Sequence, residues 1–401
     1  MDDMNVAYIN PRIITWALTQ YKLAPEALAT EAVPADRIRG WEQGEPISED
    51  QAQFLADKLD IPYLWLFLSD PPPVAPVPIP DLRTRSGKPV SEPSRDFVEV
   101  INDALVRQDW FREHKLRQGR QKAAFVGRFT IKDSVVEVAA HMRSVLGVNS
   151  EFRQQCRNWE QFLRKLMKKV ETAGILVMRS GVVGHSTRQK LDIDEFQGFA
   201  LSDPYAPVVF INDADFRAAQ IFTLAHELAH IWIGETGISD ARLAPRTLSE
   251  LGKIERFCNQ VAAEFLVPEK SFNVSWQPSR TIAANIQRIQ RHFWVSSLVA
   301  LRRAYDLKKL NYDDFKEALD AQYAHYYAIE QKRKKREEEA KKKKQQTGDF
   351  WNTFKLRNSA LFSDAVATSV RNSTTTYKEA SSLLGVNIST VEKFLRREKA
   401  A

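Results

Sequence analysis

Two stretches of this 401-residue chain cannot enter a packed core, and they fix how the rest can be divided. Pro71-Pro-Pro-Val-Ala-Pro-Val-Pro-Ile-Pro80 holds six prolines in ten residues. Proline fixes φ and lacks the backbone N–H, so this stretch forms a stiff, extended linker rather than a helix. Residues 330–346 hold nine Lys/Arg and four Glu. Charge at that density favours a solvated helical or disordered spacer. The expected plan is therefore a unit at 1–70, a linker at 71–80, a main segment at 81–329, a second linker at 330–347 and a small helical unit at 348–401. A chain of this length has room for two or more domains, and 43% hydrophobic content is ample for their cores.

The chemistry sits in the main segment, at His226-Glu227-Leu228-Ala229-His230. On a helix, residues four apart share a face, so both imidazoles can reach one metal ion. Glu227 lies one step round, where it can reach a water bound to that metal. Seven His in 401 residues give this pattern a chance expectation on the order of 0.01, so it counts as a signal. The context agrees. A strand-like run, Ala206–Asn212, leads through the helix-start signal Asp213-Ala-Asp215 into Ile221, Leu224, Leu228 and Ile231 at helical spacing. Two His ligands beside a carboxylate base is the arrangement of zinc-dependent peptidases. The strand-like runs Phe196–Leu201 and Val208–Asn212 are expected to flank the cleft, with an exposed edge there for an extended peptide.

A catalytic zinc takes a third protein ligand and keeps its fourth position for water. Downstream carboxylates are Glu235, Asp240, Glu250, Glu255, Glu264 and Glu269. Glu250–Val267 reads as a helix, with Ile254, Cys258, Val261 and Phe265 along one stripe and Pro268 closing it. Glu255 and Asn259 lie four apart on one flank, while Glu264 points to the opposite side and Glu235 is too near the motif to fold back. Glu255 is thus the expected third ligand, with Asn259 supporting it or a His. Cys258 falls on the apolar stripe and is expected to pack as a small hydrophobe. Zinc is the expected metal, although a His₂Glu site also takes manganese or cobalt. Glu227 is the expected general base, passing the water's proton on to the leaving amine. For the oxyanion, His185 and Tyr205 carry no signal beyond that of ordinary loop residues, and the role stays open.

The string Phe222–His230, preceded by Gly198–Leu201 and Val208–Asn212, resembles the ImmA/IrrE family of metallopeptidases. So does Glu255-Arg-Phe-Cys-Asn259, running on to Ala262–Pro268. The likeness extends over residues 80–310 and departs at Cys258, where Ala is common in the family. It implies an α+β, mainly helical protein whose zincin-like domain carries a small sheet and the HExxH helix. It also implies Glu255 as third zinc ligand, and a regulatory protease whose substrate is a helix-turn-helix repressor of stress-response or mobile-element genes.

Residues 1–70 resemble a five-helix Xre/Cro-type helix-turn-helix unit, with Ala35–Trp41 as recognition helix presenting Asp36, Arg37 and Arg39 to the groove or the phosphates. Charge points the other way. The unit has five Lys/Arg against twelve Asp/Glu, a net of −7, whereas DNA-binding modules carry a basic face. The chain's net +7 sits elsewhere, chiefly in residues 330–346, so DNA contact is open either through 1–70 or through the basic C-terminal part. Beyond the charged run, Tyr377–Phe394 reads as helix, Gly-containing turn and helix. A similar pair lies at Ile282–Arg291 and Val295–Tyr305, with Arg302-Arg303 at its tail, and is expected to pack as a lid or bundle.

Two cysteines, Cys156 and Cys258, make no disulfide framework. The N-terminus lacks the basic start and apolar stretch of a signal peptide, and the strongest apolar run, Ile61–Leu68, is too short to span a bilayer. A cytoplasmic protein without a membrane partner is expected. Two readings stand beside the endopeptidase. One is a DNA-binding regulator or antitoxin-type protein whose zinc domain senses or scaffolds. The other sequesters a repressor without cutting it. The complete ligand set with its base favours the protease, because a structural zinc site has no use for Glu227 and closes its fourth position with Cys or His.

Overall fold

The structure, a computed structural model, describes residues 6–20, 23–59, 61–71, 93–184, 189–215, 217–239, 250–322 and 350–400. Nearly all of the Pro-rich linker, the whole Lys-rich one, His185 and Asp240 lie outside the described residues. The described residues divide into two units, one up to Ile101 and one from Asn102 on.

In the smaller unit, β1 (Val6–Ala7) pairs antiparallel with β2 (Ile47–Ser48). Around this ribbon stand α1 (Pro11–Gln20), α2 (Pro25–Leu28), α3 (Ala35–Glu42) and α4 (Glu49–Leu59), followed by one 3-10 turn at Tyr63–Phe67. Pro25 opens α2 at the position where its missing N–H costs nothing. Ile13, Ile14, Ile38, Trp41, Leu55 and Leu66 form the fully buried centre. Turning Ile38 and Trp41 inward leaves Asp36, Arg37 and Arg39 outward. The two arginines expected to meet DNA already have carboxylate partners. Arg37 Nη1 stands 3.1 Å from Glu45 Oε2, and Arg39 bonds both Asp36 and Glu26.

The helix α5 (Arg95–Arg117) crosses the boundary. The larger unit continues with α6 (Val135–Leu146), α7 (Ser150–Gln154) and α8 (Trp159–Thr172). Then come β3 (Leu176–Ser180), β4 (Gly198–Leu201), β5 (Val208–Asn212), α9 (Arg217–Ile233) and β6 (Gly237–Ser239). The helices α10 (Glu250–Leu266), α11 (Glu269–Ser275), α12 (Ile282–Phe293) and α13 (Ser297–Asp306) follow, and α14 is helical over 312–322. Last are α15 (Phe350–Asn358), α16 (Ala360–Arg371), α17 (Tyr377–Leu384) and α18 (Ile388–Ala400). The fold is α+β and mainly helical. Among the described residues no helix is long and apolar enough to cross a membrane.

The sheet runs in the order β3-β5-β4-β6, with β3 parallel to β5 and β4 antiparallel to both of its neighbours. Every residue of β4 and β5 is buried, which is why both read as continuous apolar runs rather than alternating ones. This corrects the expected peptide-pairing edge. Neither strand is an edge, because three residues just after α9 return as β6, pairing Phe199 with Ile238. A segment that short carries no periodicity to read.

Helix α9 packs across β4 and β5, α10 packs on α9, and α6 packs on α10. Leu224, Leu228, Trp232, Val261 and Phe265 are among the fully buried residues of this layered core. Three guanidiniums close the C-terminal end of α10. Arg143 donates to Glu264 O at 2.7 Å, Arg153 to Phe265 O at 3.3 Å and Arg303 to Val267 O at 3.0 Å. Carbonyls at a helix end have no intrahelical partner and carry partial negative charge, so cations are well placed there. Arg303 also pairs with the Glu264 carboxylate, and both are buried. It therefore serves the core, as bundle packing requires.

The C-terminal helices belong to this same unit. Both α15 and α16 lie against β3. Glu171 on α8 accepts from Ser359 Oγ at 2.5 Å and Leu361 N at 3.2 Å, and Arg107 Nε on α5 donates to Leu383 O at 3.1 Å.

Candidate metal centre

The helix α9 ends where the sequence dictates, at Gly234, whose φ of 76° lies in the left-handed region that stops a helix. Ile221, Leu224, Leu228 and Ile231 are fully buried, which orients the helix and turns His226, Glu227 and His230 into the interior as well. Strand β4 approaches α9 closely at Gly198. A Cβ there would lie 2.7 Å from Thr223 Cγ2, 2.8 Å from Phe210 O and 3.0 Å from Glu227 Oε1. Only glycine fits a strand at that separation.

Helix α10 brings Glu255 to the two histidines. His226 Nε2 is 3.2 Å from Glu255 Oε2, His230 Nε2 is 3.2 Å from Glu255 Oε1, and the two Nε2 atoms are 3.0 Å apart. Donors about 2.0–2.1 Å from a tetrahedral zinc stand roughly 3.3–3.4 Å from one another. The three side chains are thus gathered to nearly the spacing of one face of such a tetrahedron, and small outward shifts suffice to seat the ion. Among the described residues these three are the only such group of His, Cys, Asp and Glu.

The second layer sets the histidine's tautomer. Asn259, one turn along α10 from Glu255, places Oδ1 2.9 Å from His226 Nδ1. The amide oxygen accepts, so Nδ1 carries a proton, and Nε2, the atom that faces Glu255 and His230, is the one left to ligate a metal ion. His230 Nδ1 is buried without a hydrogen-bond partner among the described residues.

Electrostatics shows which charge the cluster favours. Burial works to lower the pKa of both imidazoles, but the Glu255 carboxylate outweighs it and holds them above the usual histidine value. Burial likewise works to raise Glu255, yet His230 and His226 hold it well below the ordinary carboxylate range. Three buried donors around one point call for positive charge, which a proton or a divalent ion supplies. Two imidazoles and a carboxylate fit zinc. Burial drives the Cys258 thiol well above its usual value, so it stays protonated in the core, away from metal chemistry.

The remaining carboxylates go elsewhere. Glu264 faces Arg303, Glu235 is exposed in the turn after α9, and Glu269 opens α11 with its N–H 3.2 Å from Glu264 Oε2. Tyr205 sits in a turn whose backbone N–H bonds Asp203 Oδ1 at 2.8 Å. Two features escaped the sequence reading. Gly198 had a legible signal, an isolated glycine heading a strand. His141 did not. It accepts from Trp232 Nε1 at 2.9 Å across a separation of 91 residues, tying α6 to the metal-centre helix.

Two helix-borne histidines and a glutamate meeting at one point in an α+β domain make a group that could hold a divalent metal ion. Residues 170–305 match the family model of the IrrE N-terminal-like domain, Peptidase M78. That span takes in all four strands β3 to β6 and both helices that carry the donors. Residues 358–397 match a second family model, a domain of unknown function, DUF8813. No curated protein matches the chain.

Proposed function

We propose that this protein is a zinc-dependent endopeptidase of regulatory type, acting in the cytoplasm on a protein target such as a helix-turn-helix repressor. The observation that carries the reading is the convergence of His226, His230 and Glu255 beside a buried Glu227 on the same helix. The two buried free cysteines fit a reducing compartment.

His226 and His230 would hold the ion through Nε2, Glu255 through its carboxylate, and Asn259 would keep His226 in the ligating tautomer. Zinc bound there supplies a Lewis acid that activates water and polarises the scissile carbonyl. Glu227 takes the proton of the attacking water as the new C–O bond forms. It then delivers that proton to the amide nitrogen as the C–N bond breaks, leaving a carboxylate and an amine. Gly198 lets β4 close on Glu227 and fixes the side of the helix on which the carboxylate works.

The test is incubation of the purified protein, with zinc or with manganese, with each Xre-type repressor of its own host, read by intact-mass spectrometry. One discrete cut, absent with Glu227→Gln, is the expected result. An intact repressor held in a stable complex with metal-loaded protein would replace this reading with sequestration.

A further inference from the structure

Among the described residues, three helix pairs were expected from the sequence to be helix-turn-helix or similar units, and their charges separate them. In the smaller unit, both arginines on the exposed face of α3 are held by carboxylates. In the second pair, α12 and α13, the cations of the second helix are spent. Arg302 Nε bonds Asp306 at 2.9 Å, and Arg303 is buried on Glu264. The third pair is different.

Helices α16, α17 and α18 coincide closely with the residues 358–397 that match a domain of unknown function. Thr376 caps α17, and Gly385 ends it with φ 65°, the left-handed conformation that a sharp turn requires. Three residues, Gly385 to Asn387, separate α17 from α18. Asn387 Oδ1 then accepts from Thr390 N at 2.9 Å and opens the second helix. Ala380, Leu383, Leu384, Val391 and Phe394 are buried, Phe394 against Trp351 and Phe354 of α15, and α16 packs on α17. Two helices joined by a three-residue turn containing glycine, backed by a third, is the architecture that sets a recognition helix into a major groove.

The outward strip of α18 fits that use. Ser389, Glu392, Lys393 and Arg396 are exposed at positions 0, +3, +4 and +7 of one face, opposite Val391 and Phe394. Among the described residues no carboxylate pairs with Lys393 or Arg396. Of the neighbouring acids, Asp364 and Glu398 are both bound by Lys355 on α15, and Glu392 lies on the strip itself. Residues 360–401 hold six Lys/Arg against four Asp/Glu, the opposite balance to residues 1–70. Ile388, 46% exposed at the start of α18, offers an apolar contact of the kind a thymine methyl takes, and Glu392 an acceptor for a cytosine amino group.

We propose that α16–α18 form a DNA-binding helix-turn-helix in which α18 enters the major groove of duplex DNA, with Lys393 and Arg396 on its phosphates or base edges. This activity is separate from the metal centre and survives Glu227→Gln. The partner is a duplex rather than an acidic protein because the strip alternates cations with hydroxyl, carboxylate and aliphatic groups, as base readout requires.

The test is fluorescence anisotropy of the full-length chain with a labelled mixed-sequence 30-base-pair duplex, across a salt series. Wild type is expected to bind with a steep salt dependence. Lys393→Glu with Arg396→Glu is expected to weaken binding at least about tenfold and to lower the salt slope by roughly two, one for each cation withdrawn from a phosphate. Both side chains are exposed, so an unchanged melting curve certifies the variant's fold. A milder pair, Lys393→Gln with Arg396→Gln, is expected to give an intermediate loss. Three results would overturn the proposal: no binding by wild type at low salt, equal competition by polyglutamate, or loss on substituting Arg280, Arg288 and Arg291, which line a cavity on α12, with no loss from the α18 variants.

Discussion

Gly198→Ala is the smallest change that reaches the metal centre without touching a donor. Two effects compete. Replacing glycine by alanine restricts the unfolded chain and on its own stabilises by about 0.4–1 kcal/mol. Against that, the new methyl would lie 2.7 Å from Thr223 Cγ2, 2.8 Å from the Phe210 carbonyl oxygen and 3.0 Å from Glu227 Oε1. One of these neighbours is backbone of the paired strand and cannot swing away. Overpacking of this kind costs typically 1–3 kcal/mol, so the clash wins and a net loss of about 1–2 kcal/mol is expected. For a unit of this size that is a fall of roughly 2–8 °C in melting temperature. Relief of the clash moves β4 or Glu227, and a displacement near 1 Å costs on the order of 10²-fold in rate. Thermal unfolding of zinc-loaded protein and hydrolysis by the same sample read both effects. A variant that melts and cleaves like wild type would show that β4 does not press on α9 at this point, and the placement of Glu227 would have to be redrawn.

Other expectations follow from the same geometry. Asn259→Ala removes the partner of His226 Nδ1 and should weaken zinc binding about 10–100-fold in competition titrations while leaving the circular dichroism unchanged. Arg303→Ala strands the buried Glu264 carboxylate and should cost about 3–5 kcal/mol in denaturant unfolding; a loss below 1 kcal/mol would mean that water reaches the pair. In metal-free protein, the raised imidazoles add stability that is complete below their unfolded pKa and is lost as pH rises through the folded values. Glu255, held low, adds stability above its unfolded value that is lost as pH falls through the folded one. The triad should therefore stabilise the apo protein most in mildly acidic solution, with melting temperature falling as pH rises above the unfolded histidine value of about 6.5. That fall should vanish in Glu255→Gln, and its persistence there would place the titrating groups elsewhere.

The meeting of His226, His230 and Glu255 was legible because each sits on a helix, where spacing alone assigns a face. His226 and His230 are one turn apart, and the apolar stripe of α10 was enough to prefer Glu255 over Glu264. The turns of α17 and α18 were legible through Gly385 and the flanking periodicity. What could not be read depends on groups that meet from far apart in sequence. The return of β6 to β4 removed the edge expected at Gly198–Leu201. The three arginines that close α10 come from α6, α7 and α13, and each looked like an ordinary surface cation. The carboxylate partners of Arg37 and Arg39 were hidden for a similar reason: Glu45 and Glu26 lie eight and thirteen residues away and reach them only in the folded unit.

The most direct measurement is hydrolysis of an identified substrate by Glu227→Gln protein carrying one zinc per chain, beside wild type at equal loading. Removing a general base costs typically 10²–10⁴-fold, so zinc retained with cleavage lowered by at least that factor is the expected result. Cleavage at the wild-type rate with zinc in place would contradict the assignment of Glu227, and with it the reading of the site as a peptidase centre.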